Sequence, residues 1–468
     1  MHTLINKDQG PGPGAGGRKR AARLLVPLLI AAIVWISPAS LALAQDRDEA
    51  AEPVEPQALR ASIDGGLKWL AARQITEGPE DEIGSFPGGR YPVATTALAG
   101  LAFLAHGYTP GEGEYGQVVE RAMQYIRRQQ APNGYLGNRG ESMYIHAMAT
   151  LFALSYLGMA EDAQVEPELA EWCRRSVKLI LDAQTQQKRS YEQGGWRYSP
   201  AAIDSDVSVT SWQLLTLHAA RQCGYEVDQR IFNAALRYID SAWMEVEPDK
   251  AADETADDAG DTDEVDGAGE ADEEPPAEAD GEEPGNGADD GDTPESPEAD
   301  QPDDGADADE ADADSESSEP DVLVGFAYRP GVSLVPEPGV TGAALAIQTV
   351  LGQVTEARSE AALGYLDAYP PSWGGTQYKG AFYFVSFYMA QGYFQRGDDA
   401  WRPFSNKLNR VLLGHQGGDG RWPFPPDTVP QAADAGEAYA TAMALLLLGI
   451  DNQYLPMYQR QAELFSAR

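Results

Sequence analysis

One unit returns six times along this chain, and that repetition constrains the fold more than any other feature. The unit is an amphipathic helix ending near Gln, a Gly-rich turn with an aromatic residue, and a second helix rich in Ala and Leu. The first copy runs GLKWLAARQ (Gly66–Gln74), SFPGGRYP, TALAGLAFLAHGY (Thr96–Tyr108); the second runs ERAMQYIRRQQ, PNGYLG, HAMATLFALSYLG (His146–Gly158). The third has RRSVKLILDAQ, QGGWRYSP and TSWQLLTLHAARQCG (Thr210–Gly224). The fourth begins at AALRYIDSAW (Ala234–Trp243), is interrupted, and resumes with VGFAYRPG and TGAALAIQTVLG (Thr341–Gly352). The fifth has SWGGTQY and a Tyr/Phe-rich helix around Ser386, and the sixth has QGGDGRWPF and TAMALLLLG (Thr441–Gly449). Such a unit cannot bury its apolar face alone, so neighbouring copies must stack.

The second helix of each unit is apolar around most of its circumference, whereas the first carries a charged face; the former pattern belongs in an interior and the latter at a surface. Six inner helices surrounded by six outer ones predict an all-α fold, an α/α toroid of six helical hairpins. Gly107, Gly158, Gly224, Gly352 and Gly449 stand where left-handed C-terminal caps are expected.

The formal charge of −40 is concentrated: residues 251–320 hold 31 Asp and Glu and no Lys or Arg, leaving −9 for the remainder. No basic stripe with interleaved aromatics exists, which argues against nucleic acid as a partner. The segment 247–320 lacks the apolar residues needed to order itself and is expected to be a disordered acidic insertion in the fourth hairpin. At the N-terminus, a basic run (Arg18–Arg23), an apolar stretch (Leu24–Ile36) and small residues ending at Ala44 form an export signal over residues 1–45. If uncleaved, Leu24–Ala44 just reaches the length of a membrane anchor. The expected organisation is therefore signal or anchor (1–45), disordered linker (46–56), repeats (57–246), insertion (247–320) and the remaining repeats (321–468). The location is the periplasm or cell envelope, or the exterior after cleavage, and the protein is expected to be a monomer.

QGGWRYS (Gln193–Ser199) and QGGDGRWPF (Gln416–Phe424) resemble the Gln-Trp motif of the prenyltransferase and squalene oxidase/cyclase repeat superfamily. The resemblance covers roughly residues 57–460 apart from the insertion. It implies the toroid, but the superfamily spans cyclases, protein prenyltransferases, thioester domains and members without known activity, so it does not imply one reaction. The cyclase signature D-x-D-D-T-A resembles Asp204-Ser205-Asp206-Val207-Ser208; aligned on the following helix, Ser208 and Val209 occupy its acid positions. The zinc-ligating D-x-C pair of the prenyltransferases has its counterpart in Asp206-Val207-Ser208, where Ser replaces the thiolate. The Cys-Gly-Glu-Gln of thioester domains does not occur. Five His and two Cys lie scattered without ligand spacing, so neither a metal nor another cofactor is expected.

Inner-helix N-termini should converge at one mouth, where free N–H groups favour a polar ligand. Candidate ligand-binding residues there are Tyr144, Trp196, Trp373, Tyr378, Tyr383 and Tyr439, with Tyr91 and Trp422 on the same loops. These aromatics could stack on a sugar, line an isoprenoid pocket, meet a protein ligand, or wedge between hairpins. Asp204 and Asp206 could act as an acid/base pair or cap the helix beginning near Val207. Asp206 could alternatively work with Glu437 or with His146, which replaces the Thr or Ser of the other copies and is expected to face the cavity. The first expectation is a ligand- or partner-binding toroid without turnover. Alternatives are a divergent cyclase or acid/base glycan hydrolase or lyase, and a structural envelope protein. Cys173 and Cys223 fall at adjacent ends of the third hairpin, where export would permit a disulfide.

Overall fold

A computed structural model describes residues 52–136, 142–160, 167–246, 322–378 and 380–459. The expected signal or anchor, the acidic insertion and the C-terminal residues 460–468 lie outside these. Among the described residues no helix is long and apolar enough to cross a membrane.

The protein is mostly helical. Among the described residues twelve helices of at least 12 residues follow one another: α1 (Pro56–Ala71), α2 (Pro92–Ala105), α3 (Gly116–Arg128), α4 (Met143–Met159), α5 (Pro167–Gln184), α6 (Val207–Gln222), α7 (Gln229–Asp240), α8 (Pro338–Val350), α9 (Glu356–Asp367), α10 (Phe382–Arg396), α11 (Asp398–His415) and α12 (Gly436–Leu448). Part of the expected linker is ordered, since the Glu52 carbonyl accepts from Arg410 and Pro56 opens α1 at a position that suits its fixed φ.

Even-numbered helices are buried nearly all round, as in α2, where every residue from Val93 to Ala105 is buried. α2 packs on α4, α4 on α6, α6 on α8, α8 on α10, α10 on α12, and α12 back on α2. Odd-numbered helices bury one face only: α3 rests on α2, α5 on α4, α7 on α6, α9 on α8, α11 on α10, and α1 on α12.

The expected glycine caps are formed at Gly107, Gly224 and Gly352, which adopt positive φ. Two positions differ. Gly158 lies within α4, which runs on to Met159, and Gly449 has φ −91° because it feeds directly into a 3-10 turn.

In the fourth unit a two-stranded antiparallel ladder stands between the helices: β1 (Trp243–Val246) pairs with β2 (Leu323–Phe326), with Val246 opposite Leu323. At the other end of the chain Leu455, Met457 and Tyr458 are buried, and the turn Pro456–Tyr458 packs against α6 and α10. Tyr458 donates to the Leu446 carbonyl (3.1 Å) and Gln395 to the Met457 carbonyl (3.4 Å), so this tail covers the C-terminal ends of the even helices.

Candidate functional site

The turns leading into the even helices share one hydrogen-bonding scheme. The N–H of the turn aromatic donates to the marker Thr: Phe86 to Thr96 (3.0 Å), Trp196 to Thr210 (3.0 Å), Phe326 to Thr341 (2.9 Å) and Trp422 to Thr441 (3.1 Å). The Gln before the turn bridges two carbonyls, its own turn and the next odd helix. Gln74 spans Gly84 and Val118, Gln184 spans Gly194 and Ile231, and Gln416 spans Gly420 and Ser62. Gly194 and Gly420, both at φ +97°, sit so close to that helix that a Cβ would lie 2.3 Å from the Ala234 oxygen and 2.4 Å from the Gly65 oxygen. Only glycine supplies both the conformation and the clearance.

This scheme settles several expectations. Trp196 and Trp422 are fully buried, each donating its indole N–H to its own odd helix (Ile180 O and Leu412 O, both 2.8 Å), so they wedge the hairpins and touch no mouth. Tyr378 is buried with its hydroxyl on the Pro370 carbonyl, and Tyr383 is buried with its hydroxyl on the Pro423 carbonyl. Trp373 is half-buried and stacks on His415 at 4.3 Å. His146 does not face a cavity: its Nε2 bonds the Ser176 carbonyl (3.1 Å) across to α5, and burial holds its pKa down to about 4. It is a neutral strut between helices. Glu437 is engaged by the Arg421 guanidinium (2.7 and 2.8 Å), not by Asp206. The disulfide that the sequence permits is not formed, and both cysteines are free thiols. They lie near enough for one to influence the other's ionisation, but Cys223 Sγ is turned onto the Leu154 carbonyl (3.4 Å).

Asp206 is where the chemistry gathers. It caps α6, Oδ1 accepting from the Val209 N–H at 2.7 Å, while its backbone pairs with Trp196. The residue is wholly buried, and burial lifts its pKa to about 7 against the weaker pull of that N–H and of Arg197. The Tyr328 hydroxyl hydrogen-bonds the carboxyl and also bonds the Tyr198 hydroxyl (2.6 Å), so the acid adjoins a tyrosine pair.

Around this acid lies a set of aromatics from five units. Tyr144 meets Tyr198 (6.0 Å) and Phe384 (5.9 Å), Phe384 meets Tyr388 (4.8 Å), and Tyr388 donates to the Ser208 carbonyl (3.0 Å). On the α12 side Tyr439 stacks on Phe424 at 6.2 Å. Tyr144, Tyr328 and Tyr439 are deep in the protein, deep enough for burial to raise their hydroxyl pKa values, yet each keeps accessible surface. With Tyr198 and Phe384 these half-buried rings form an aromatic patch beside Asp206.

A polar bed lies beside the patch. Lys188 donates to Gly195 O (2.7 Å), Ser205 Oγ (3.0 Å) and Asp204 O (3.2 Å), and burial lowers its pKa to about 8. Arg329 bridges Glu192 (3.2 Å) and Asp204 (3.4 Å), and Arg197 pairs with Asp204 (3.4 Å) while lying over the Tyr198 ring at 4.7 Å. Asp204 therefore serves ion pairing between two turns, and of the two acids Asp206 is the one beside the aromatic patch.

No family model matches the chain, and no curated protein matches it.

The residues that escaped sequence reasoning are Arg197, Tyr198, Tyr328, Arg329 and Tyr388. A signal for two of them was present: Tyr198, Tyr328 and Phe424 each stand two residues after the turn aromatic of their unit. Aligning the copies on that aromatic, and not only on the marker Thr, brings this recurring position out. Among the described residues no cluster of three or more His, Cys, Asp or Glu is placed to hold a metal ion.

Proposed function

We propose that the chain is an exported α/α toroid of the prenyltransferase and squalene-cyclase repeat type, and that it binds a ligand at the aromatic patch beside Asp206. Two features support the toroid: the even helices pack in a series that returns from α12 to α2, and the Gln bridge recurs between the sixth unit and the first through Gln416 and Ser62. The observation that carries ligand binding is the half-buried set Tyr144, Tyr198, Tyr328, Phe384 and Tyr439, rings from separate units that pack against the core yet keep part of their surface accessible. Native mass spectrometry of the exported protein tests this. A co-purified small molecule is expected, lost when Tyr144 and Phe384 are both changed to Ala, and a ligand unaffected by that change would overturn the reading.

One observation favours a second reading. A buried acid with a pKa of about 7 beside the Tyr198–Tyr328 pair is suited to donate a proton, as a divergent enzyme on this scaffold would require. Asp206→Asn separates the two, since it leaves a binding patch nearly intact but abolishes any turnover of the co-purified molecule.

A further inference from the structure

We infer that the turns leading into α6 and α8 form a docking edge for a lipid bilayer, with the side chains of Tyr191, Ile203, Val332 and Leu334 as the tips that enter its interface. The described residues expose six large hydrophobic side chains, and these four fall on the two turns: Leu334 is 86% exposed, Ile203 63%, Tyr191 49% and Val332 45%. Exposed apolar residues scattered singly are ordinary, but a cluster of them marks an interaction surface.

The two turns are tied together, so the tips share one edge. Arg329 reaches Glu192 (3.2 Å) and Asp204 (3.4 Å), the sequence neighbours of Tyr191 and Ile203. Ser205 donates to Glu192 through both its N–H and its hydroxyl (2.8 Å each), which joins the ends of the first turn. In the second turn the N–H groups of Val332 and Ser333 return to the Arg329 carbonyl (3.2 and 3.0 Å), so Val332 and Leu334 stand on a tight loop that starts at Arg329. The Tyr198 and Tyr328 hydroxyls add a further link between the turns (2.6 Å).

The chemistry of this edge is that of a membrane interface. Residues 198–203 and 330–336 carry no charge, so no ion loses its water when the tips enter. The amphipathic ring of Tyr191 suits the headgroup level. Beside it Arg189 is exposed and donates to the Tyr191 hydroxyl (3.1 Å), where its guanidinium can meet a lipid phosphate. In this network Lys188, Arg189, Arg197 and Arg329 outnumber Glu192, Asp204 and Asp206, although the whole chain is acidic. A second copy in two-fold contact sets that excess of cations against itself, whereas headgroup phosphates offset it. The bilayer is the surface to which the proposed export brings the chain. Docking rests on that reading only for the encounter, since vesicles supply the surface in the test.

The test is hydrogen–deuterium exchange of the full chain with and without vesicles of phosphatidylethanolamine and phosphatidylglycerol. Exchange is read segment by segment, so attachment through any other part of the chain is told apart. Vesicles are expected to slow exchange in the turns 198–204 and 329–335. Leu334→Ser and Ile203→Ser should each raise the lipid concentration for half-maximal slowing roughly tenfold, the effect of one aliphatic side chain left out of the interface. Leu334→Phe, which keeps an apolar tip, should leave it unchanged, and Arg189→Glu should raise it about fivefold or more. Because Leu334 and Ile203 are so exposed, these changes leave the packed core untouched. Turns that exchange equally fast with and without vesicles overturn the inference, as does slowing indifferent to both serine changes. Slowing that appears without vesicles as protein concentration rises also overturns it, and assigns the edge to a contact between copies.

Discussion

Asp206 carries the pH dependence that most distinguishes this protein. Its folded pKa of about 7 lies above the ordinary 3.8, so the folded state holds a proton that the unfolded state releases as pH rises between those values. Its contribution to stability is therefore present at low pH and lost as pH climbs through 7, on the order of a few kcal/mol across the window. His106, His146 and His218 act oppositely. Burial holds all three down to about 4, and they cost stability as pH falls below 6.5, because the unfolded state then takes up protons that the folded state refuses. Asn caps a helix as well as Asp does, so Asp206→Asn should keep the start of α6 and remove only the titration. Its melting temperature relative to the parent should rise from pH 5 to pH 8 and then level; a difference constant across that range would mean that Asp206 is ionised throughout. The capping role of this residue was legible from its place before an apolar helix. Its partners were not, because Tyr198 and Tyr328 are 130 residues apart and belong to different units.

At the scale of elements, the hairpin pattern was legible because a helix buried all round and a helix with one charged face leave different periodicities. The role of the marker position was not. Thr and Ser near an inner-helix start suggested a cavity lining, whereas four threonines accept a turn N–H and His146 reaches an odd helix instead. Thr441→Val keeps the shape and strands the buried Trp422 N–H, which should cost about 1–3 kcal/mol by chemical denaturation. Thr441→Ser, which retains the oxygen, should recover most of it. Gly420→Ala should be more damaging than either, since it forces both a left-handed backbone and a contact of 2.4 Å with the Gly65 carbonyl. Equal effects of the Ser and Val changes would show that the oxygen is not what matters.

Over the whole molecule, composition located the acidic segment, and the β1–β2 ladder shows how the fold accommodates it. Val246 and Leu323 are cross-strand partners, so the segment enters and leaves at neighbouring points, about 5 Å apart. Replacing residues 249–320 with a short Gly/Asn turn should leave helical content by circular dichroism and the melting temperature nearly unchanged. A marked loss of helix would assign that segment a structural duty. The ladder itself was invisible in the sequence, because four residues on each side, within a helical repeat, carry no alternating pattern long enough to distinguish from a helix end.

The resting place of α1 on α12 has a consequence for how the chain is made. The apolar face of the first helix, with Leu67, Trp69 and Leu70, is covered by a helix some 370 residues later in synthesis, and the Gln416–Ser62 bonds that join those ends span 354 residues. Every other odd helix meets its support just before it in the chain. Five units can therefore form as they emerge, while α1 waits uncovered until the sixth is complete. Closing so distant a pair is slow and leaves sticky surface exposed in the interval. That interval is when a chaperone would find its handle.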